Sequence, residues 1–300
     1  MHQTVLIAGG SGFIGSRLTQ LLLDKGYDVA VLSRKPHQGL QAKSFYWNPQ
    51  EKRIDSACLE HADIIINLAG SNIAEKPWTE KRKRDLFNSR INSSRLLFDT
   101  LKTHSHNVKC YIGASAIGFY NEGENLTEES SVSHSFLGSL CEQWEKESNR
   151  MNELNIGTSV VRIGLVMSPK GGMLKEILKP LRFGIAPVFG NGNQWQSWIH
   201  IDDLCGIIIH LFEHKLSGIY NGVAPNPVRA KDLINAIQLT CKKRGVKFYI
   251  PGFLLKLMMG SRSEMLLANQ KVSSEKITAT GYVFRFSRAE SAVWKDHLPD

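Results

Sequence analysis

The sequence predicts an α/β protein: a doubly wound parallel sheet with a smaller, mostly helical C-terminal region. Three observations carry this expectation. Short β-branched runs alternate with helical stretches through the first half of the 300 residues. The run "DIIINL" at 63–68 is apolar on both faces, as a strand in the middle of a parallel sheet must be. The stretch "IAGGSGFIG" at 7–15 puts a glycine-rich turn between the first strand and the first helix. Right-handed crossovers then make double winding nearly obligatory.

Taken in order, residues 4–8 read as a strand. Residues 13–25 read as a helix with Phe13, Ile14, Leu18, Leu21 and Leu22 inward, closed by Gly26. A second strand follows at 28–33. After 63–68 comes a long helical pattern at about 79–103, then the strand "CYIGAS" at 110–115. A polar loop around 121–135 precedes a helix near 136–154, and "TSVVRIGLVM" at 158–167 is the next strand. Beyond 167 the stretches "SPKGGML" and "FGIAPVFGNGNQWQSW" are rich in Gly, Pro and aromatics, which predicts irregular surface structure. Helical patterns return at 203–213 and 230–244. The last fifty residues read as a small helical cap with a short extended ending.

Composition narrows the function. The five cysteines are odd in number and far apart, with no C-x-x-C pair, so neither a disulfide framework nor a zinc site is expected, and a cytoplasmic location is. The ten histidines are scattered, and no metal site is expected. No basic stretch precedes the first apolar run, and no stretch approaches the roughly 20 apolar residues of a spanning helix, so no membrane partner is expected. The net charge is +9. Its densest run, "KRKR" at Lys81–Arg84, heads a helical pattern and reads as a solvated helix face. No basic stretch is interleaved with aromatics, so nucleic acid is not expected. An anionic cofactor or substrate is the other explanation of the charge.

The glycine turn fits two fingerprints. Gly10, Gly12 and Gly15 spell G-x-G-x-x-G, whereas Gly9, Gly12 and Gly15 spell G-x-x-G-x-x-G. Placed between strand and helix, either one predicts dinucleotide binding in a Rossmann fold. Gly9 would let the chain leave the strand tightly, Gly12 would let backbone approach a pyrophosphate, and Gly15 would let helix pack on sheet. The helix N-terminus would face the phosphates with free N–H groups. At the end of the second strand an acidic residue would bind a ribose 2′-hydroxyl. Here stand Ser33, Arg34 and Lys35. A guanidinium pairs with a 2′-phosphate, so the expected cofactor is NADP(H).

"GGSGFIG", "INLAG" (66–70), "GASAIGFY" (113–120), "VVRIGLV" (160–166) and "SWIHIDDL" (197–204) occur in that order. Together they resemble the extended short-chain dehydrogenase/reductase superfamily of the epimerase/dehydratase type. The stretches "GGML", "QWQSWIHIDDL" and "APNPV" resemble a subgroup with a C-terminal domain of unknown function, often labelled epimerase-family proteins or cell-division-inhibitor homologues. The resemblance selects the Gly9 register and leaves Gly10 as a small loop residue. It implies that Gly9, Gly12, Gly15, Phe13 and Ile14 hold the pyrophosphate and that Arg34 holds the 2′-phosphate. Leu68, Ala69 and Gly70 would run past the adenosine, Ser89 and Arg90 would lie on its side, and Ile163 would pack on the nicotinamide. It implies an NADP(H)-binding domain at 1–167, with 198–224 returning to it. The substrate and cap region would be 168–300, with the small C-terminal domain at 250–300.

Ser115 falls at the superfamily's catalytic Ser/Thr. The superfamily's acid/base is a Tyr with a Lys four residues on, whose cation lowers the phenol's pKa. Here Leu137 and Cys141 occupy those positions, and no Y-x-x-x-K occurs in the chain. Tyr120 is the nearest substitute, with a structural role as the alternative. His200 and Asp202 could pair, with helix capping by Asp202 as the alternative. Trp78, Trp195, Trp198 and His200 are the expected substrate wall. Two functions stay open. One is an NADP(H)-dependent oxidoreductase acting on an unidentified carbonyl or alcohol, with Tyr120 or a Ser115-held water as proton source. The other is a non-catalytic NADP(H)-binding sensor or interaction protein linked to cell division. A homodimer is left open.

Overall fold

A computed structural model describes residues 3–35 and 42–290 of the chain. Residues 291–300, the end of the expected C-terminal domain, lie outside them. The first half runs β1 (Thr4–Ala8), α1 (Phe13–Asp24), β2 (Asp28–Ser33), β3 (Lys43–Asn48), β4 (Arg53–Ile54), β5 (Ile64–Asn67), α2 (Glu80–Thr103) and β6 (Cys110–Ala116). Then come β7 (Gly123–Leu126), α3 (Phe136–Asn149), β8 (Gly157–Ile163), β9 (Leu165–Ser168), α4 (Gly172–Leu181), β10 (Ile185–Phe189), β11 (Trp195–Gln196), β12 (Trp198–His200) and α5 (Ile201–Glu213). The chain continues through β13 (Gly218–Gly222), β14 (Val228–Arg229), α6 (Ala230–Thr240), β15 (Val246–Ile250), α7 (Gly252–Met259), α8 (Glu264–Leu267), β16 (Gln270–Val272) and α9 (Glu275–Ala279).

Eight strands form one sheet in the order β13-β8-β6-β5-β1-β2-β3-β4. All pairs are parallel except β3 with β4. Strand alternation sorts side chains to two faces. Val5, Ile7, Val29, Val31, Ile64 and Ile66 pack with Leu18 and Leu22 of α1 and the apolar side of α5. Leu6, Ala8, Ala30, Leu32 and Ile65 pack with Leu97, Phe98 and Leu101 of α2 on the other face. The order reverses direction at β1, because β2 lies on one side and β5 on the other. Ligands of such sheets bind at this switch point, beyond the carboxyl ends of the strands.

The structure differs from the sequence reading in four places. The stretch 158–167 is not one strand: it breaks at Gly164, where a Cβ would stand 2.5 Å from the Ser197 carbonyl. β9 then leaves the main sheet to pair with β12. The helix near 136–154 ends at Asn149 and tightens into a 3-10 turn at Arg150–Leu154. The segment read as irregular after 167 contains α4, whose Leu174, Ile177, Leu178 and Leu181 are buried at helical spacing. In the main sheet β3, β4 and β13 were not foreseen; β13 extends the sheet beside β8.

Candidate functional site

The glycine turn sits at the switch point. Gly9 has φ +81°, which only glycine adopts at no steric cost, and a Cβ there would stand 2.9 Å from the Leu68 carbonyl carbon. A Cβ on Gly15 would run into the Gly9 carbonyl oxygen. Gly10 is more than a small loop residue: its Cβ would lie 2.6 Å from the Val31 side chain. Gly12 is the N-cap of α1, has no side chain to cap it, and is followed by no acidic residue in the first turn. The first-turn N–H groups of Phe13, Ile14 and Gly15 therefore point outward without intrahelical acceptors. A dinucleotide's pyrophosphate fits these donors. Ser33 closes β2 on the same edge, and Arg34 and Lys35 beyond it are exposed to solvent. The Phe13 ring lies under Gly171 and Gly172, where a Cβ on Gly171 would approach to 2.6 Å.

The opposite wall is the end of β5. The fully buried Asn67 donates to Ser93, Ser94 and Tyr111 and accepts from the Ala69 N–H at 3.1 Å. This fixes Leu68–Gly70. Ser89 accepts from the Ser71 N–H at 3.0 Å, and the Arg90 guanidinium donates to the Ser71 and Leu86 carbonyls. Ser89 and Arg90 thus hold the wall from behind. Burial pulls the Arg90 pKa down to about 10, and its guanidinium lies over the Trp144 ring. Ile163 packs with Leu68, Ala114 and Trp144 in one cluster at the strand ends.

At the expected catalytic corner lies a buried ion network. Ser115 is 2% exposed and its hydroxyl donates to Glu145 Oε1 at 2.6 Å. Arg162 grips the same carboxylate with two of its three nitrogens, Nε and Nη2, at 2.8 and 2.9 Å. The third, Nη1, donates to the Tyr120 hydroxyl at 2.9 Å and to the Glu128 carbonyl at 3.0 Å. Tyr120 in turn donates to Asn221 at 2.7 Å, and the Glu128 carboxylate accepts from the Asn221 N–H. Burial lowers the affinity of Arg162 for its proton, but the Glu145 bonds outweigh this and hold its pKa up. Burial pushes the Tyr120 phenol up, away from neutrality.

Tyr120, the expected proton donor, is thus buried with its hydroxyl engaged both as donor and as acceptor, the arrangement of the structural alternative. Leu137 packs on Gly118, whose Cβ would come within 3.1 Å of it. Cys141 is buried, and that burial pushes its thiol up to about 11, which keeps it protonated near neutrality.

The expected substrate wall does not assemble. Trp198 is fully buried and donates to the Asn226 carbonyl, so it is core. His200 is buried, stacks on Phe286 at 3.8 Å, and its Nδ1 accepts from the Asp202 N–H. The helix cap is therefore His200 and not Asp202. Trp195 lies on the β11–β14 pair, where Glu124 takes its indole N–H and Arg229 covers its ring. Trp78 is buried, donates to the Ile73 carbonyl and lies edge-on to Phe136 at the start of α3. Sequence reasoning assigned no role to Glu145, Arg162 or Asn221. The one visible signal was a lone Arg inside the apolar run "TSVVRIGLVM".

Asp202 accepts from Arg17 on α1 at 2.6 and 3.0 Å. Burial raises its pKa, but the Arg17 bonds outweigh this and hold the carboxyl below its usual value. A depressed acid stabilises the fold above its unfolded pKa of about 3.9, and that contribution is lost as pH falls through the folded value. Thermal unfolding between pH 3 and 6 should fall less steeply on the acid side for Asp202→Asn than for the parent; parallel profiles would contradict this.

Among the described residues no group of His, Cys, Asp or Glu could hold a metal, and no helix is long and apolar enough to cross a membrane. Residues 5–222 match the profile of the NAD dependent epimerase/dehydratase family. The chain belongs to that family. Residues 250–293 match a second profile, DUF1731, a domain of unknown function. The chain is 33% identical over 295 residues to the epimerase family protein YfhF of Bacillus subtilis, covering 96% of each. It is 30% identical to the epimerase family protein SAR0825 of Staphylococcus aureus, covering 96% of this chain and 97% of that one. It superposes on the human epimerase family protein SDR39U1, solved with NADPH, with a TM-score of 0.88 at 30% identity over 97% of both chains. MoeE5, solved with UDP-glucuronic acid and NAD, shares only the fold, at 15% identity, a TM-score of 0.78 and 96% of both chains. Of these, SDR39U1 was solved with NADPH and MoeE5 with NAD.

Proposed function

We propose that the protein binds NADP(H) and that its catalytic corner has become a structural ion network, leaving a cofactor-dependent sensor or interaction protein. Gly9, Gly12 and Gly15 would admit the pyrophosphate to the N-terminus of α1, Arg34 would pair with the 2′-phosphate, and Ile163 would back the nicotinamide. The NADPH bound by the human relative supports the cofactor. When bound, the nicotinamide gives or takes a hydride. The observation that carries the non-catalytic reading is Ser115: at 2% exposure, with its proton committed to Glu145, it offers no hydroxyl to a substrate oxygen. We also propose the division into a cofactor domain at 1–167 with 198–224 and a cap region at 168–300, which the pairing of β13 with β8 supports. The five cysteines are unpaired, which supports a cytoplasmic location.

The oxidoreductase reading keeps one specific observation: Ser115 and Ile163 still end β6 and β8 at the superfamily positions. NADPH oxidation by the purified protein across a broad panel of aldehydes and ketones separates the two readings. No rate above the protein-free background is expected. Saturable turnover of any panel member would reinstate the enzyme. Separately, Arg34→Ala should weaken NADPH binding about tenfold to a hundredfold, the worth of a charge-assisted bond of ~1.5–3 kcal/mol, and leave NADH binding unchanged. Calorimetry with both cofactors measures this, and equal weakening of both would refute the role of Arg34.

A further inference from the structure

We propose that the face formed by β15, α7 and the turn between α6 and β15 docks on an anionic lipid surface. Nothing spans the bilayer in this arrangement, so the expectation of no membrane partner is revised only for peripheral contact.

Two independent observations converge on this face. The first is apolar exposure. Nine of the twelve large apolar side chains exposed among the described residues fall between Phe183 and Met258. β15 is the outer strand of a two-stranded sheet with β10, and its pairing sets Ile185 beside Val246. Pro251 alone separates β15 from α7. On α7, Phe253 and Leu257 are one helical turn apart and are 74% and 80% exposed. Gln238 donates to the Gly245 carbonyl at 2.7 Å, holding the end of α6 against the same turn. At their exposures the Phe253 and Leu257 side chains both protrude from the surface.

The second observation is charge. Residues 231–262 hold seven Lys or Arg and one acidic residue, Asp232, in a chain whose whole net charge is +9. Lys242, Arg244, Lys247 and Lys256 are exposed on the same segments as the apolar side chains. No ion pair involves any of them among the described residues.

Charge decides between occupants. A second copy would bring two strongly cationic faces together. An added peptide strand would meet Lys247 in the middle of the β15 edge, a residue type that blunts strand addition. An anionic bilayer accepts both features: protruding Phe and Leu enter the boundary between headgroups and acyl chains, while Lys and Arg reach lipid phosphates.

Cosedimentation of the full chain with vesicles tests this. Vesicles of phosphatidylcholine alone should leave the protein in solution, and vesicles with phosphatidylglycerol added should bring it down. Phe253→Ser with Leu257→Ser should cut binding at least tenfold while NADPH binding and thermal unfolding stay those of the parent. Lys247→Gln with Lys256→Gln should cut it about 25-fold, near fivefold per charge. The proposal is overturned if anionic vesicles do not bind the protein. It is equally overturned if the apolar pair has no effect, which would mean unspecific adsorption by net charge. A vesicle-free dimer broken by the apolar pair would assign the face to a second copy instead.

Discussion

Glu145→Gln should cost the fold about 3–5 kcal/mol, the usual penalty for removing one member of a buried ion pair. The carboxylate is 4% exposed and answers to three donors at once: the Ser115 hydroxyl and two nitrogens of Arg162, itself 2% exposed. Glutamine keeps the shape but turns one acceptor oxygen into a donor facing a guanidinium. The charge left on Arg162 then has neither water nor a counter-ion, which is why the loss exceeds that of an ordinary hydrogen bond. Against a total stability of roughly 5–15 kcal/mol for a domain, the shift is large. Urea unfolding of parent and variant measures it. Glu145→Leu combined with Arg162→Leu should cost less than Glu145→Gln alone, because no unpaired charge remains. A loss below ~1 kcal/mol for Glu145→Gln would show that the network does not bear on stability.

Gly12→Asp should act on affinity and stability in opposite directions. Gly12 has φ −76° and ψ 177°, extended backbone that an aspartate adopts without strain. A Cβ there meets only the Gly9 carbonyl oxygen, at 3.2 Å. The new carboxylate would accept from the first-turn N–H groups of α1 and cap the helix, adding a few tenths of a kcal/mol. The same carboxylate would take the donors that a pyrophosphate needs and repel its charge. Losing one charge-assisted bond is worth ~1.5–3 kcal/mol, so the affinity for NADPH should fall about tenfold to a hundredfold. Calorimetry and thermal unfolding read the two effects on one variant. Unchanged NADPH binding would remove the glycine turn from the cofactor site.

The parallel sheet was legible because its strands are apolar on both faces and its helices are periodic. Val5 and Ile7 face α1 and α5 while Leu6 and Ala8 face α2, an alternation set by the pleat. Two of the longer strands of the main sheet escaped notice for physical reasons. β3, "KSFYWN", carries polar and aromatic residues, and β13, "GIYNG", is flanked by glycines and short. Both gain their place from neighbours already in the sheet. The glycine turn was readable because a local backbone demand leaves a local sequence mark, and Gly10 was undervalued because Val31, which it touches, lies on another strand. The network was not readable. Ser115, Tyr120, Glu145, Arg162 and Asn221 come from five segments between β6 and β13, and only the fold brings them together. Trp198 and His200 likewise looked like pocket residues, because nothing local separates an aromatic that lines a cleft from one that fills a core.

The central claim is an NADP(H) site made by the glycine turn and Arg34. Calorimetric titration of the unmodified protein with NADPH and with NADH tests it most directly. NADPH should bind at least tenfold more tightly than NADH. Equal affinities, or tighter binding of NADH, would contradict it.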